Sequence, residues 1–148
     1  MSKGKDAELI LRLYELRREA TMREARNWMI SFFPETVDDI MNAMIDAKTS
    51  AYYRMVTTYW DMAASFVNHG AIDEEMFNDS AGEHFVVFSK IEPYIEELRT
   101  KMGSPKLLHN LEKLVMRQDN AKEMLAARRD MMKRWMQARA EASKAAEA

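Results

Sequence analysis

Apolar residues recur three and four positions apart along most of the chain, the spacing that puts side chains on one face of a helix. Leu9, Leu13 and Leu16 form one such stripe, and Met22, Ala25, Trp28 and Met29 form a second that is offset from it. The register changes at Arg17, Arg18 and Glu19, so the spacing predicts two helical pieces meeting at a bend between Asp6 and Phe33. Phe33-Pro34 closes this stretch, because the residue before a proline is pushed out of the α region. Thr36 then reads as an N-cap, with Asp38 and Asp39 near the positive end of the next helix. Val37, Ile40, Met41, Met44 and Ile45 give that helix its apolar face, and a break is expected near Lys48 to Ser50.

The stretch from Ala51 to His69 carries the widest apolar stripe: Tyr52, Met55, Val56, Tyr59, Trp60, Met62, Ala63, Phe66 and Val67. A helix this apolar belongs at the centre of a fold. Gly70 suits the left-handed position after it, and Asp73 caps a short helix with Glu74 and Glu75 in its first turn. Ser80 to Gly82 interrupts, and Phe85, Phe88, Ile91, Ile95, Leu98 and Met102 resume helical spacing to Gly103, with a kink expected at Pro93. Ser104-Pro105 reads as a fresh start, with Ser at the N-cap and Pro at N1. No Gly or Pro follows, so one helix from Pro105 to about Ser143 is expected unless Asp119 caps a second one. Such a helix spans about 55 Å, against about 38 Å for a compact domain of this size, so its end must project or pack on another chain. The tail from Ala138 to Ala148 is expected to fray.

These elements add up to an all-α fold: a single domain over 1–148, an irregular bundle of five to seven helices ending in a long C-terminal helix. Composition agrees. The chain has 148 residues, 47% of them hydrophobic, but only four Gly and three Pro, too few for a turn-rich β architecture. There is no Cys, which removes disulfides, zinc-thiolate sites and a Cys nucleophile and fits a reducing compartment. No signal-peptide pattern and no apolar run of membrane-spanning length is read, so the expected location is the cytoplasm.

Charge is unevenly spread around a net of −2. Residues 1–34 carry seven basic and five acidic groups, residues 35–99 four and thirteen, and residues 100–148 eleven and six. The acidic middle could attract the basic ends of the same chain or of a second copy.

Candidate chemistry is sparse. His69, His84 and His109 are not at ligand spacing, HExxH and ExxH are missing, and the four glycines form no phosphate loop. No GxSxG is present either. No metal or cofactor is therefore expected. Asp61 interrupts an apolar helix and needs a partner if buried. The expectation is a structural ion pair with Arg54 or Arg99. The alternative is a perturbed carboxylate in an acidic pocket serving an enzyme, a small ligand or a metal. The fourteen methionines mostly fall on apolar stripes, as core residues do.

The last helix holds the most specific pattern. Met124, Arg128, Met131, Trp135, Ala138 and Ala142 lie at alternating spacings of four and three, a coiled-coil-like seam spoiled by Arg128. Trp135 with Met131, Met132 and Met136 would be an exposed patch unless covered by this chain's own core or by a second copy. The same arm carries Arg117, Lys122, Arg128, Arg129, Lys133, Arg134 and Arg139, which raises nucleic-acid binding. Interleaved Asp119, Glu123, Asp130 and Glu141 weaken that reading.

Some of these residues also carry a resemblance. The aromatic-rich helix ends in Val67-Asn68-His69-Gly70-Ala71-Ile72-Asp73-Glu74-Glu75. Phe88 and Ile91-Glu92-Pro93-Tyr94-Ile95 through Arg99 follow, then Gly103-Ser104-Pro105. From Tyr52 to about Leu114 this resembles an uncharacterised bacterial helical family of unknown function. In that family a helix with an acidic residue leads into a Gly-x-Ile/Tyr-Asp-Glu turn, and a later helix carries Pro-Tyr/Phe-Ile and an Arg. Phe88 stands where such proteins often have Trp. Many relatives are tethered by an N-terminal membrane helix, which is not read here. The resemblance implies no activity and assigns no functional residue. The functional expectation is accordingly a non-enzymatic helical interaction or oligomerisation module, most simply a homodimer, working through Met124, Met131, Met132, Trp135 and Met136.

Overall fold

The computed structural model describes residues 2–148. It contains nine α-helices and one 3-10 turn, more than the five to seven helices the spacing predicts. In chain order the helices are α1 (Lys3–Leu16), α2 (Ala20–Ser31), α3 (Val37–Ile45), α4 (Ser50–Asn68) and α5 (Glu74–Ser80). Then come α6 (Glu83–Ile91), the 3-10 turn Glu92–Tyr94, α7 (Ile95–Met102), α8 (His109–Met116) and α9 (Ala121–Glu147).

Most boundaries follow local chemistry. The bend at Arg17–Glu19 separates α1 from α2, with Glu19 accepting the Met22 N–H. Thr36 and Asp39 form a reciprocal capping box at the start of α3. Asp73 caps α5 through the Met76 N–H at 2.9 Å. Gly70 and Gly103 take positive φ, 80° and 61°, and end α4 and α7 in the way a residue without Cβ permits. Pro93 sits in the 3-10 turn, which supplies the expected kink.

The C-terminal third differs from the expectation of one continuous helix. Ser104-Pro105 opens a turn, and helix resumes only at His109. Arg99 causes the delay. Its Nε and Nη2 donate to the Leu107 carbonyl at 3.0 and 2.9 Å, and Leu108 is held left-handed at φ 55°. The second break falls one residue past Asp119, at Asn120, also left-handed at φ 52°. Asn is among the few residues that adopt this conformation readily, so no Gly is needed. Gln118 covers the end of α8 by donating to the Leu114 carbonyl at 2.9 Å.

α4 is the central element, packed on α2, α3, α5, α6 and α8. Tyr53, Val56, Trp60, Ala63, Ala64 and Val67 are buried on it, and one apolar cluster runs from Leu13 of α1 to Leu125 of α9. Phe88 is fully buried in that cluster. Burying a side chain of this size contributes on the order of 2 kcal/mol, which is why such stripes dominate the fold. α9 joins the body through its first half, mainly against α6 and α8, with Arg129 also reaching Glu92 of the 3-10 turn at 3.6 Å. Leu125 is its last buried residue, and every residue from Gln137 onward is exposed.

Candidate functional site: the free face of the last helix

Asp61 forms no ion pair among the described residues. Its Oδ1 accepts the Leu111 backbone N–H at 2.9 Å and its Oδ2 accepts Asn110 Nδ2 at 3.2 Å. Leu108 cannot cap α8 with its own side chain, so Asp61 supplies the cap from α4. Arg54 is exposed and donates to the Ser50 carbonyl of its own helix. Arg99 pairs with Glu112 and Glu96, both at 3.1 Å. The expected pairing of Asp61 with either arginine is therefore wrong. An amide and an orphan helix N–H satisfy this carboxylate instead.

Three other polar groups lie inside the packing, Glu83 half-buried and His84 and Lys90 buried, and sequence spacing singled out none of them for that role. Both carboxylate oxygens of Glu83 accept from Arg26 Nε at 3.0 Å, and Oε2 also accepts the Trp60 indole N–H at 2.9 Å, tying α6 to α2 and α4. His84 is fully buried among Trp60, Phe77 and Phe85, with Nε2 3.0 Å from Asn78 Oδ1 and Nδ1 without a partner among the described residues. Burial, with Arg128 and Arg17 nearby, pushes it down to about 3, so it is neutral. Lys90 is buried beneath Phe33 and donates to the carbonyls of Ile30 and Phe32 at 3.0 and 2.6 Å, closing the C-terminal end of α2. Burial and Lys133 pull its ammonium down to about 7. These groups are legible only once the helices that surround them are known. No group of three or more possible metal-ligating side chains occurs among the described residues.

One apolar cavity of about 260 Å³ lies between α1, α4 and α5, lined by Ile10, Leu13, Tyr14, Tyr59, Trp60 and Phe77. The Arg17 guanidinium stands at its edge, 4.9 Å from the Tyr14 ring and 5.5 Å from Trp60, and forms no ion pair among the described residues. The Tyr59 hydroxyl donates to the Leu13 carbonyl, and burial raises it to about 12. With a permanently charged Arg and a neutral Tyr, this cavity can hold an apolar group but offers no proton-transfer pair near neutral pH.

The face of α9 is the other unusual surface. Trp135 is 65% exposed and Met131 38%, beside Arg134, Ala138, Arg139 and Ala142. Met124 packs on the core, while Met132 and Met136 are half-buried. The five predicted interface residues thus divide: Met124 serves the body, and Trp135 with Met131 faces outward. The chain's own core does not cover Trp135. The basic residues of the arm divide too. Arg117 pairs with Glu74 at 2.6 Å, Arg128 lies over Phe85, and Arg129 donates to the Ser89 carbonyl at 2.6 Å. Much of the apparent basic stripe therefore holds the fold together.

A family described as a domain of unknown function, DUF4760, matches residues 4–118. The chain belongs to this family. The matched span reaches well beyond the Tyr52–Leu114 stretch that carries the resemblance, taking in α1 to α8 and stopping at the turn before α9. The family domain therefore includes the capped α4–α8 junction and the apolar cavity, and α9 lies outside it. Neither a curated protein nor a solved structure matches the chain. No helix of the described residues is long and apolar enough to cross a membrane.

Proposed function

We propose that this chain is a non-enzymatic helical association module that works through the free face of α9. The observation that carries the reading is the 65% exposure of Trp135 on a helix whose last buried residue is Leu125, ten positions earlier. An isolated exposed Leu is ordinary, but a Trp backed by Met131 on a projecting helix is the pattern of an unfilled interface. Trp is also the residue most enriched among energetically dominant interface contacts. Asp61, which an acidic-pocket reading would need, is already committed to capping α8. A second copy is the simplest partner, since one chain then supplies both faces.

Sedimentation velocity from about 10 to 500 μM tests this, a range that brackets the affinities of small interfaces. The wild type should shift from monomer to dimer, and Trp135→Ala should stay monomeric with unchanged helix content. A wild type that is monomeric at every concentration would defeat the reading.

The cavity supports a second reading. Its apolar walls and the ion-pair-free Arg17 fit a small aromatic carboxylate. Titration with naphthalene-2-carboxylate should change the tryptophan fluorescence of the wild type and have less effect on Arg17→Gln. Equal responses would remove Arg17 from that role.

A further inference from the structure

We infer that two copies associate through α9 in antiparallel orientation, with Trp135 of each chain packed against Ala138 of the other. The inference rests on the reading of α9 as the association surface and adds its geometry.

The seam positions are Met124, Arg128, Met131, Trp135, Ala138 and Ala142. They are graded in size, with large residues toward the body and alanines toward the free end. In a parallel pair each seam residue meets its own copy. Trp135 would then face Trp135, and the alanines would face each other across a gap. On the flank, Arg134 would lie beside Arg139 of the other chain. These are like-charge contacts in the positions that normally select a partner.

Reversing one helix removes all of these conflicts. Trp135 then faces Ala138 and Met131 faces Ala142, so each large outward residue meets a small one. On one flank Arg134 comes beside Glu141 of the second copy, and symmetry repeats the contact. On the other flank Met132 lies along the stem of Arg139. Neither Arg134 nor Glu141 forms an ion pair within the chain among the described residues, so both are available.

The register is fixed as well. Sliding the partner one heptad in one direction sets Arg134 against Arg134, and sliding it the other way sets Glu141 against Glu141.

The chain has no natural cysteine, so cysteines can be placed one at a time in the full-length protein. Met131→Cys and Ala142→Cys proteins, mixed and mildly oxidised, should give a mixed disulfide that neither forms alone, because only facing positions meet disulfide geometry. A disulfide formed readily by Met131→Cys alone would overturn the antiparallel orientation while leaving the dimer intact. A wild type that stays monomeric would instead overturn the association reading beneath it.

A charge swap gives an independent readout. Arg134→Glu should weaken self-association about tenfold, since two attractive contacts become repulsive. The double variant Arg134→Glu/Glu141→Arg should restore it. In a parallel pair Arg134→Glu would strengthen association, because the new carboxylate would meet Arg139. Strengthening, or no change, overturns the inference. Both positions are exposed, so circular dichroism of each variant should match the wild type.

Discussion

Asp61 on α4 holds the N-terminus of α8 by accepting the Leu111 N–H at 2.9 Å, across fifty positions of sequence. Local caps come from the residue just before the helix, but that residue is Leu108, in a left-handed conformation and without an acceptor side chain. The cap therefore comes from a neighbouring helix, which makes it a tertiary contact as well. Asp61→Ala should lower unfolding free energy by about 1–2 kcal/mol, the range for losing a cap or a charge-assisted hydrogen bond. Arg54→Ala should change it by less than about 0.5 kcal/mol, as expected of an exposed site. Urea denaturation of the two variants separates these outcomes, and equal midpoints for Asp61→Ala and wild type would refute the cap.

Arg99 organises the preceding turn. It is largely buried, donates twice to the Leu107 carbonyl and grips Glu112 at 3.1 Å. Arg99→Ala should cost about 2–3 kcal/mol, because a half-buried carbonyl and a half-buried carboxylate lose their donors together. Arg99→Lys should recover only part, since an ammonium cannot span both acceptors with a planar fork. Full recovery by Lys would show that charge alone is needed.

His84 gives the fold an acid-sensitive component. Its ordinary value of 6.5 falls to about 3 in the folded chain, so the unfolded chain takes up this proton first as pH drops. The stability tied to neutral His84 is complete above pH 6.5 and is lost as pH falls toward 3. The difference in unfolding free energy between wild type and His84→Gln should shrink across that window, with the Gln keeping a donor for Asn78. A difference independent of pH would mean that His84 stays protonated in the fold.

Lys90 acts in the opposite range. It falls from 10.5 to about 7 on folding, so between these values the unfolded chain holds a proton that the folded chain has released. Stability from this site therefore rises with pH from about 7 to 10.5. Wild type should gain on Lys90→Met over this interval, as read by denaturation at a series of pH values. A flat difference would place the ammonium in a better-solvated position than the structure shows.

The free part of α9 should be dispensable for folding. Ending the chain after Met136 removes only exposed residues, so the denaturation midpoint at low concentration should stay within about 0.5 kcal/mol of wild type. Self-association should disappear. A large loss of monomer stability would mean that the tail packs on the body.

Local patterns settled most of the helices before any packing was known. Thr36 with Asp39, Asp73, Gly70 and the interruption at Ser80–Gly82 act through neighbours a few residues away, and their boundaries could be read directly. Much of the core stripe of α4 was legible for the same reason, because helical period places Val56, Trp60, Ala63 and Val67 on one side, whereas buried Tyr53 was missed and Met62 and Phe66 of the expected stripe are exposed. The outward Trp135 and its seam were also visible as spacing, although whether the chain's own core would cover them was not.

Tertiary structure decided where distant groups act. Ser104-Pro105 is a helix start by local rules, yet Arg99 holds the Leu107 carbonyl and defers the helix to His109. The residues that defeat the ion-pair expectation for Asp61 lie fifty positions away, in backbone and amide groups that carry no charge to look for. The burial of His84 and Lys90 depends on which helices meet above them. Sequence determined the periods and caps because these are short-range. Only the packed structure could assign partners to the polar groups, because each is satisfied by whatever the fold brings within about 3 Å.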